Sequence, residues 1–223
     1  MFTAFIGLYD DEETDLCIRG NGKTCSMVFY LYLYFKQNYE VWTNFKTTFS
    51  VVKGFQQMIN DLRALREDEE KENIPKELRK KIVLGVTEMQ DLINSMGSSV
   101  EQTLFVDSFT NQIRKLDADC LYDTQIFKNV HIRLRRHTEN IRIPFKFHMD
   151  DSPCNFDRCE RKHYIDIFSF KPFHKERIRR LRAWEVGKLY NSSEQITDIL
   201  EIPKREKFSN KNKKEVETNG IKP

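Results

Sequence analysis

Apolar positions along the chain recur in two periods, one suited to strands and one to helices. Residues 16–18, 40–44 and 119–123 are short strand-like runs, and 82–86 is a continuous apolar run of the kind a buried parallel strand needs. Between them lie helix-like stretches. Residues 24–37 are apolar almost throughout. In 54–66, Phe55, Met58, Ile59, Leu62 and Leu65 share one face. In 100–116, Leu104, Phe105, Phe109 and Ile113 do the same. Two further strands, 142–147 and 164–170, flank a connector containing cysteine. Strands separated by helices predict βαβ units and an α/β fold, with a mostly parallel sheet covered on both faces.

A chain of 223 residues is the size of one domain, expected over residues 1–200. Its 17 Phe, 8 Tyr and 2 Trp are enough for a core. The most apolar run, 27–35, is nine residues long. A membrane span needs roughly 20, so no span is expected. The N-terminus has no positive n-region, and five Cys is an odd count for a disulfide scaffold. The chain is therefore expected to be soluble, intracellular and reduced.

The net charge of +3 conceals an uneven distribution. Residues 1–15 hold five acids and no base. Residues 61–81 hold seven of each, read as a solvated helix or mobile insertion. Residues 113–146 carry eight bases against four acids, and residues 158–182 nine against three. Residues 203–223 are Lys-rich and poor in apolar side chains, as a disordered basic tail would be.

The stretch Cys17-Ile18-Arg19-Gly20-Asn21-Gly22-Lys23-Thr24-Cys25 is the most informative. Its Gly-x-Gly-Lys-Thr core follows a strand-like run and opens a helix, the context a phosphate-binding loop requires. Glycines let backbone N–H groups converge on an anion, and the helix N-terminus adds partial positive charge. Arg19, Gly20, Asn21, Gly22, Lys23, Thr24 and Cys25 are the candidate ATP-binding residues, with Lys23 on the β- and γ-phosphates and Thr24 on Mg²⁺. Cys17 stands where the usual pattern has a glycine. A second candidate is the end of the 82–86 strand, where Glu88 is placed as general base. Thr87 occupies the position of the expected metal-holding Asp and is the second candidate Mg²⁺ contact. In an alternative register, Glu88 is itself the metal acid.

With these motifs in order, the sequence resembles the P-loop ATPases of the HerA/FtsK superfamily, in particular the small DNA-packaging ATPases of archaeal viruses and mobile elements. The stretches that carry the resemblance are IRGNGKT (18–24), YEVWTNF (39–45), VTEMQDLINS (86–95), QIRKLDADCLYDTQ (112–125), VHIRLRRHTE (130–139) and WEVGKLYNSSE (184–194). The resemblance implies a RecA/ASCE-like P-loop fold and an ATPase that moves duplex DNA through a homo-oligomeric ring, expected to be a hexamer. It implies a capsid or portal partner and action in the host cytoplasm or in association with the virion. It makes Gln125 the polar sensor of the γ-phosphate or water. Arg114 and Arg133 become the leading candidates for an arginine acting on a neighbouring subunit's nucleotide.

His148, Cys154, Cys159 and His163 form H-x5-C-x4-C-x3-H between the two predicted strands. This is read as a hairpin with reduced thiols, a tetrahedral zinc site or a disulfide being the alternatives. Residues 174–182 read as a basic helix able to contact phosphates without reading bases. Two other functions stay open. One is a nucleotide-binding assembly protein that hydrolyses weakly or not at all, with Thr87 marking the loss. The other is a P-loop protein of filamentous-particle export, against which the missing membrane span argues.

Overall fold

The computed structural model describes residues 1–8, 22–93, 100–154, 159–171 and 174–195. The expected α/β architecture is present. Strands β1 (Phe2–Leu8), β2 (Glu40–Thr43), β3 (Phe45–Thr47), β4 (Val51–Val52), β5 (Ile82–Val86), β6 (Ala118–Ile126), β7 (Thr138–His148), β8 (His163–Lys171), β9 (His174–Arg182) and β10 (Tyr190–Gln195) alternate with helices for most of the chain. The helices are α1 (Lys23–Lys36), α2 (Phe55–Lys71), α3 (Met89–Leu92), α4 (Val100–Lys115), α5 (Ile132–His137) and α6 (Ala183–Val186). Eight strands make one sheet in the order β4-β2-β5-β6-β1-β7-β8-β9, and β10 pairs with β3 separately. Strands from β4 to β7 in that order run parallel, whereas β8 is antiparallel to both of its neighbours, β7 and β9.

Period-2 alternation sends the sheet's side chains to two separate cores. Phe2, Ala4, Ile6, Leu84, Cys120 and Tyr122 face α2, α4 and α5, where they meet Phe55, Met58, Leu62, Phe109, Ile113 and Leu134. Phe5, Val83, Leu121, Ile165 and Ile167 face α1, against Met27, Val28 and Leu31. Gly85 lies under α1, where a Cβ would come within 2.5 Å of Leu31 Cδ1. A larger residue would force the Leu31 and Thr43 side chains to shift.

Two expectations change, and a third falls outside the described residues. The strand entering the phosphate-binding turn was expected at 16–18, a segment outside the described residues. The central strand next to β6 is β1, a nearly continuous apolar run close to the N-terminus. Residues 61–81 are not simply a solvated or mobile insertion, because α2 extends to Lys71 and its Arg66 and Glu69 are buried. Residues 174–182 form strand β9 rather than a helix. The backbone ladder with β8 outweighs a local pattern compatible with either structure. The basic tail at 203–223 lies outside the described residues.

Arg66 shows why a charged stretch can be structural. Its guanidinium donates to Leu116 O at 2.7 Å, Lys80 O at 2.9 Å and Glu69 Oε2 at 2.6 Å. Glu69 Oε1 in turn accepts from the Lys80 amide at 2.9 Å. Burial opposes ionisation of Glu69, but the hydrogen bonds from Arg66 and Lys80 outweigh it and hold its carboxyl below the ordinary value. The pair ties α2 to the end of α4 and the approach to β5. Arg66→Met should therefore cost about 3–5 kcal/mol in urea unfolding, because Glu69 is left charged and buried. A cost below about 1 kcal/mol would show that the pair is dispensable.

Candidate nucleotide site

The site grows from the topology. The chain leaves β1, passes through α1 to β2, returns to β5, and then inserts β6 between β5 and β1. Ligands of open α/β sheets bind at such a switch point, beyond the carboxyl ends of the strands. Here those ends carry Glu88 after β5 and Asp123 and Gln125 on β6, all facing the start of α1.

Gly22 caps α1 with φ +91°, a conformation that favours glycine. It has a second constraint, since a Cβ there would meet Ile165 Cδ1 at 2.5 Å. The first intrahelical bond runs from the Ser26 amide to Gly22 O at 2.8 Å. The first-turn amides of Lys23, Thr24 and Cys25 therefore precede it, the arrangement that makes a helix start an anion site. Cys25 offers only its backbone, because burial pushes its thiol up to about 12. Arg19, Gly20 and Asn21 lie outside the described residues.

Side chains link the rest into one network. The Thr24 hydroxyl donates to Asp123 Oδ2 at 2.6 Å, and the Glu88 amide donates to Asp123 Oδ1 at 2.7 Å. Lys23 Nζ donates to Gln125 Oε1 at 3.2 Å, and Gln125 Nε2 donates to Glu88 Oε1 at 3.2 Å. Gln90 Nε2 donates to the other Glu88 oxygen, and Gln90 Oε1 accepts from the Gln125 amide at 3.3 Å. Glu88 sits at φ +52°, an unusual backbone for a residue with a side chain. It turns the chain sharply after β5, so that the Glu88 amide reaches Asp123 while its carboxylate reaches Gln125. Such strain collects at functional positions.

Asp123 is 1% exposed. Burial pushes its carboxyl up to about 6, and the Glu88 charge adds to this against the lowering effect of the Thr24 hydrogen bond. Sequence reasoning singled out Gln125 but missed Asp123. The available signal was strand period: Asp123 is two residues before Gln125 and so shares its face. Thr87, in contrast, is buried against Asn44. Its amide donates to Asn44 Oδ1 at 2.9 Å and its hydroxyl to the same atom at 3.3 Å, while Asn44 Nδ2 donates to Thr87 O at 3.3 Å. The acid beside Thr24 thus comes from β6 rather than from position 87.

The two arginines lie on different helices. Arg133 lies in the first turn of α5 and pairs with Asp107 of α4. Arg114 ends α4, just before β6 begins, and is exposed. Seven residues of strand, about 23 Å, separate the start of β6 from Gln125. Within residues 174–182, three arginines have carboxylate partners in the chain. Arg177 and Arg180 pair with buried Asp166, and Arg182 pairs with Glu185. Arg179 lies over the Phe29 ring.

A parallel sheet with β6 inserted beside the strand that precedes a Gly-Lys-Thr helix start defines the P-loop NTPase class of α/β fold. Solved structures similar to this chain include the genome packaging NTPase B204 from Sulfolobus turreted icosahedral virus 2 in complex with ATP-gammaS, at 7% identity and TM-score 0.48, covering 80% of this chain and 96% of that one. The N-terminal domain of zonular occludens toxin from Neisseria meningitidis aligns at 16% identity and TM-score 0.48, covering 85% and 98%. The pCW3 conjugation coupling protein TcpA aligns at 11% identity and TM-score 0.44, covering 83% of this chain and 64% of TcpA. These are similarities of fold alone, at low sequence identity. No protein-family model matches the sequence, and no curated protein matches it. No helix among the described residues is long and apolar enough to cross a membrane.

Proposed function

We propose that this protein is a Mg²⁺-dependent ATPase that drives duplex DNA through an oligomeric ring, as in packaging a viral genome. The observation carrying the catalytic part is the network joining Lys23, Gln125, Glu88, Asp123 and Thr24 at the switch point. Each member has the chemistry that phosphoryl transfer to water needs.

The donor set fits Mg²⁺. A hydroxyl and a carboxylate oxygen 2.6 Å apart are hard ligands, and Mg²⁺ commonly takes one or two protein oxygens, with phosphates and waters filling its shell. Thr24 and Asp123 would hold the ion, whose contribution is to neutralise charge on the β- and γ-phosphate oxygens. Lys23 binds the same phosphates, and the α1 amides cradle them. Glu88 orients a water and accepts its proton as the water attacks the γ-phosphorus. Gln125 touches both Lys23 and Glu88, so it is positioned to register whether Lys23 is occupied by phosphate.

Asp123 also bears on the reading in which Thr87 marks lost catalysis. The carboxylate absent at 87 is supplied two strand positions before Gln125, which favours hydrolysis over passive nucleotide binding. The DNA part of the proposal is supported by the motif order and by the excess of bases in residues 113–146. Residues 174–182 contribute less than their composition suggests, since most of their arginines already have carboxylate partners. Arg133, on the helix that follows β6 beyond Gln125, is the candidate we favour for action on a neighbouring subunit's nucleotide.

The test is ATP hydrolysis by the full chain with and without duplex DNA, combined with sizing in ATP. We expect hydrolysis stimulated by DNA, stimulation that weakens steeply as salt rises, and ring-sized assemblies. Binding of ATP without turnover under both conditions would replace this reading with that of a nucleotide-gated assembly protein.

A further inference from the structure

The Cys/His connector lies outside the nucleotide network, and its geometry points to a metal. β7 ends at His148 and β8 begins at His163, and these two residues face each other in register. Their rings are 4.9 Å apart between centroids. Beyond His148 the chain doubles back tightly. The Asp151 amide donates to His148 O at 3.0 Å, the His148 amide to Ser152 O at 2.8 Å, and the Cys154 amide to Lys146 O at 2.9 Å. This return brings Cys154 beneath the end of β7. One ligand atom from each of His148, Cys154, Cys159 and His163 lies within 4.8 Å of every other. Ligand atoms on a tetrahedral zinc are about 3.3–3.8 Å apart, given Zn–N near 2.0 Å and Zn–S near 2.3 Å. A contraction of about 1 Å would close the site.

A second observation is independent of this proximity. His148 Nδ1 and His163 Nε2 are buried and have no hydrogen-bond partner among the described residues. His163 is 6% exposed. A buried ring nitrogen without a partner is costly, and native proteins rarely leave one. Coordination would satisfy both nitrogens at once. All four described cysteines, Cys154 and Cys159 included, are thiols rather than disulfides.

We infer that His148, Cys154, Cys159 and His163 bind one structural Zn²⁺ ion. Two thiolates and two imidazoles form the soft, closed, four-ligand set that selects zinc over Mg²⁺ or Ca²⁺. Two thiolates also cancel the charge of the ion, so the filled site is neutral. Binding releases two thiol protons to solvent and needs no oxidant. The ion has a structural task, because it pins the β7–β8 junction. His163 shares a strand face with Ile165, and Ile165 is the side chain packed on Gly22 at the start of α1.

The experiment uses untagged full-length protein, purified under reducing conditions, reconstituted with zinc and freed of excess metal. Elemental analysis should find about one zinc per chain, and at least tenfold less in the Cys154→Ser/Cys159→Ser variant. Cobalt substituted into the wild type should give thiolate charge-transfer absorption and tetrahedral ligand-field bands, and this readout holds even if the variant folds poorly. Less than a tenth of an equivalent of zinc in the wild type, undiminished zinc in the variant, or octahedral cobalt bands would overturn the inference. So would a Cys154–Cys159 disulfide in protein kept reduced throughout.

Discussion

Asp123→Asn should lower ATP hydrolysis on the order of 10²-fold or more and, at the same time, stabilise the nucleotide-free protein at neutral pH. Loss of activity follows from removing the one carboxylate beside the Thr24 hydroxyl, where Mg²⁺ would be held. The stability gain follows from burial. With its folded value raised from 3.8 to about 6, the carboxyl binds its proton more tightly folded than unfolded. Its contribution to stability is complete below pH 3.8, declines as pH rises, and is lost above about 6. At neutral pH the wild type therefore carries a buried charge costing up to about 3 kcal/mol, which an amide of the same shape removes. Denaturant unfolding at pH 5 and pH 7.5 should show the variant's advantage growing with pH. Mg²⁺-dependent nucleotide binding by the wild type should weaken as pH falls through about 6, because the ion must displace a proton. Wild-type turnover by the variant would remove Asp123 from the metal site. A variant no more stable at pH 7.5 would refute the burial argument.

Glu88→Gln should reduce the hydrolysis step about 10²–10⁴-fold while leaving ATP affinity within a few-fold of wild type. The substitution keeps side-chain length and adds no clash at φ +52°. It preserves an oxygen to accept from Gln125 Nε2, now 3.2 Å from Glu88 Oε1. The ability to take up a proton is lost, together with the oxygen that accepts from Gln90 Nε2, so the defect should appear chiefly in single-turnover rate rather than in binding. The same variant separates the two registers open in the sequence. If Glu88 is the base, the Mg²⁺ requirement stays unchanged. If Glu88 holds the metal, the Mg²⁺ concentration needed for half-maximal rate rises sharply and the assignment of Asp123 fails.

The parts of the site that could be read in advance share one property: they are local. Lys23 and Thr24 belong to a motif whose chemistry is carried by consecutive residues. Glu88 follows a continuous apolar strand, and Gln125 ends another. Asp123 escaped notice because its role depends on α1 lying over β6, a contact between residues 99 positions apart. Thr87 drew attention as a departure from a pattern, yet its side chain is occupied by Asn44, 43 positions away. The basic run at 174–182 suited either a helix or a strand by its own pattern, and pairing with β8 decided the matter. The charged stretch at 61–81 concealed Arg66, whose acceptors lie on segments that meet only in the fold.

By itself, then, the sequence determined the α/β class, most elements and the glycine-lysine-threonine start of α1, since hydrophobic period and helix-start chemistry act over a few neighbouring residues. Tertiary structure alone decided which strand sits beside β1, which carboxylate meets Thr24, which arginines keep their charge available, and that two histidines and two cysteines converge. Each of these is a meeting between distant segments. Its energy comes from burial and from hydrogen bonds that exist only once the sheet has brought those segments together.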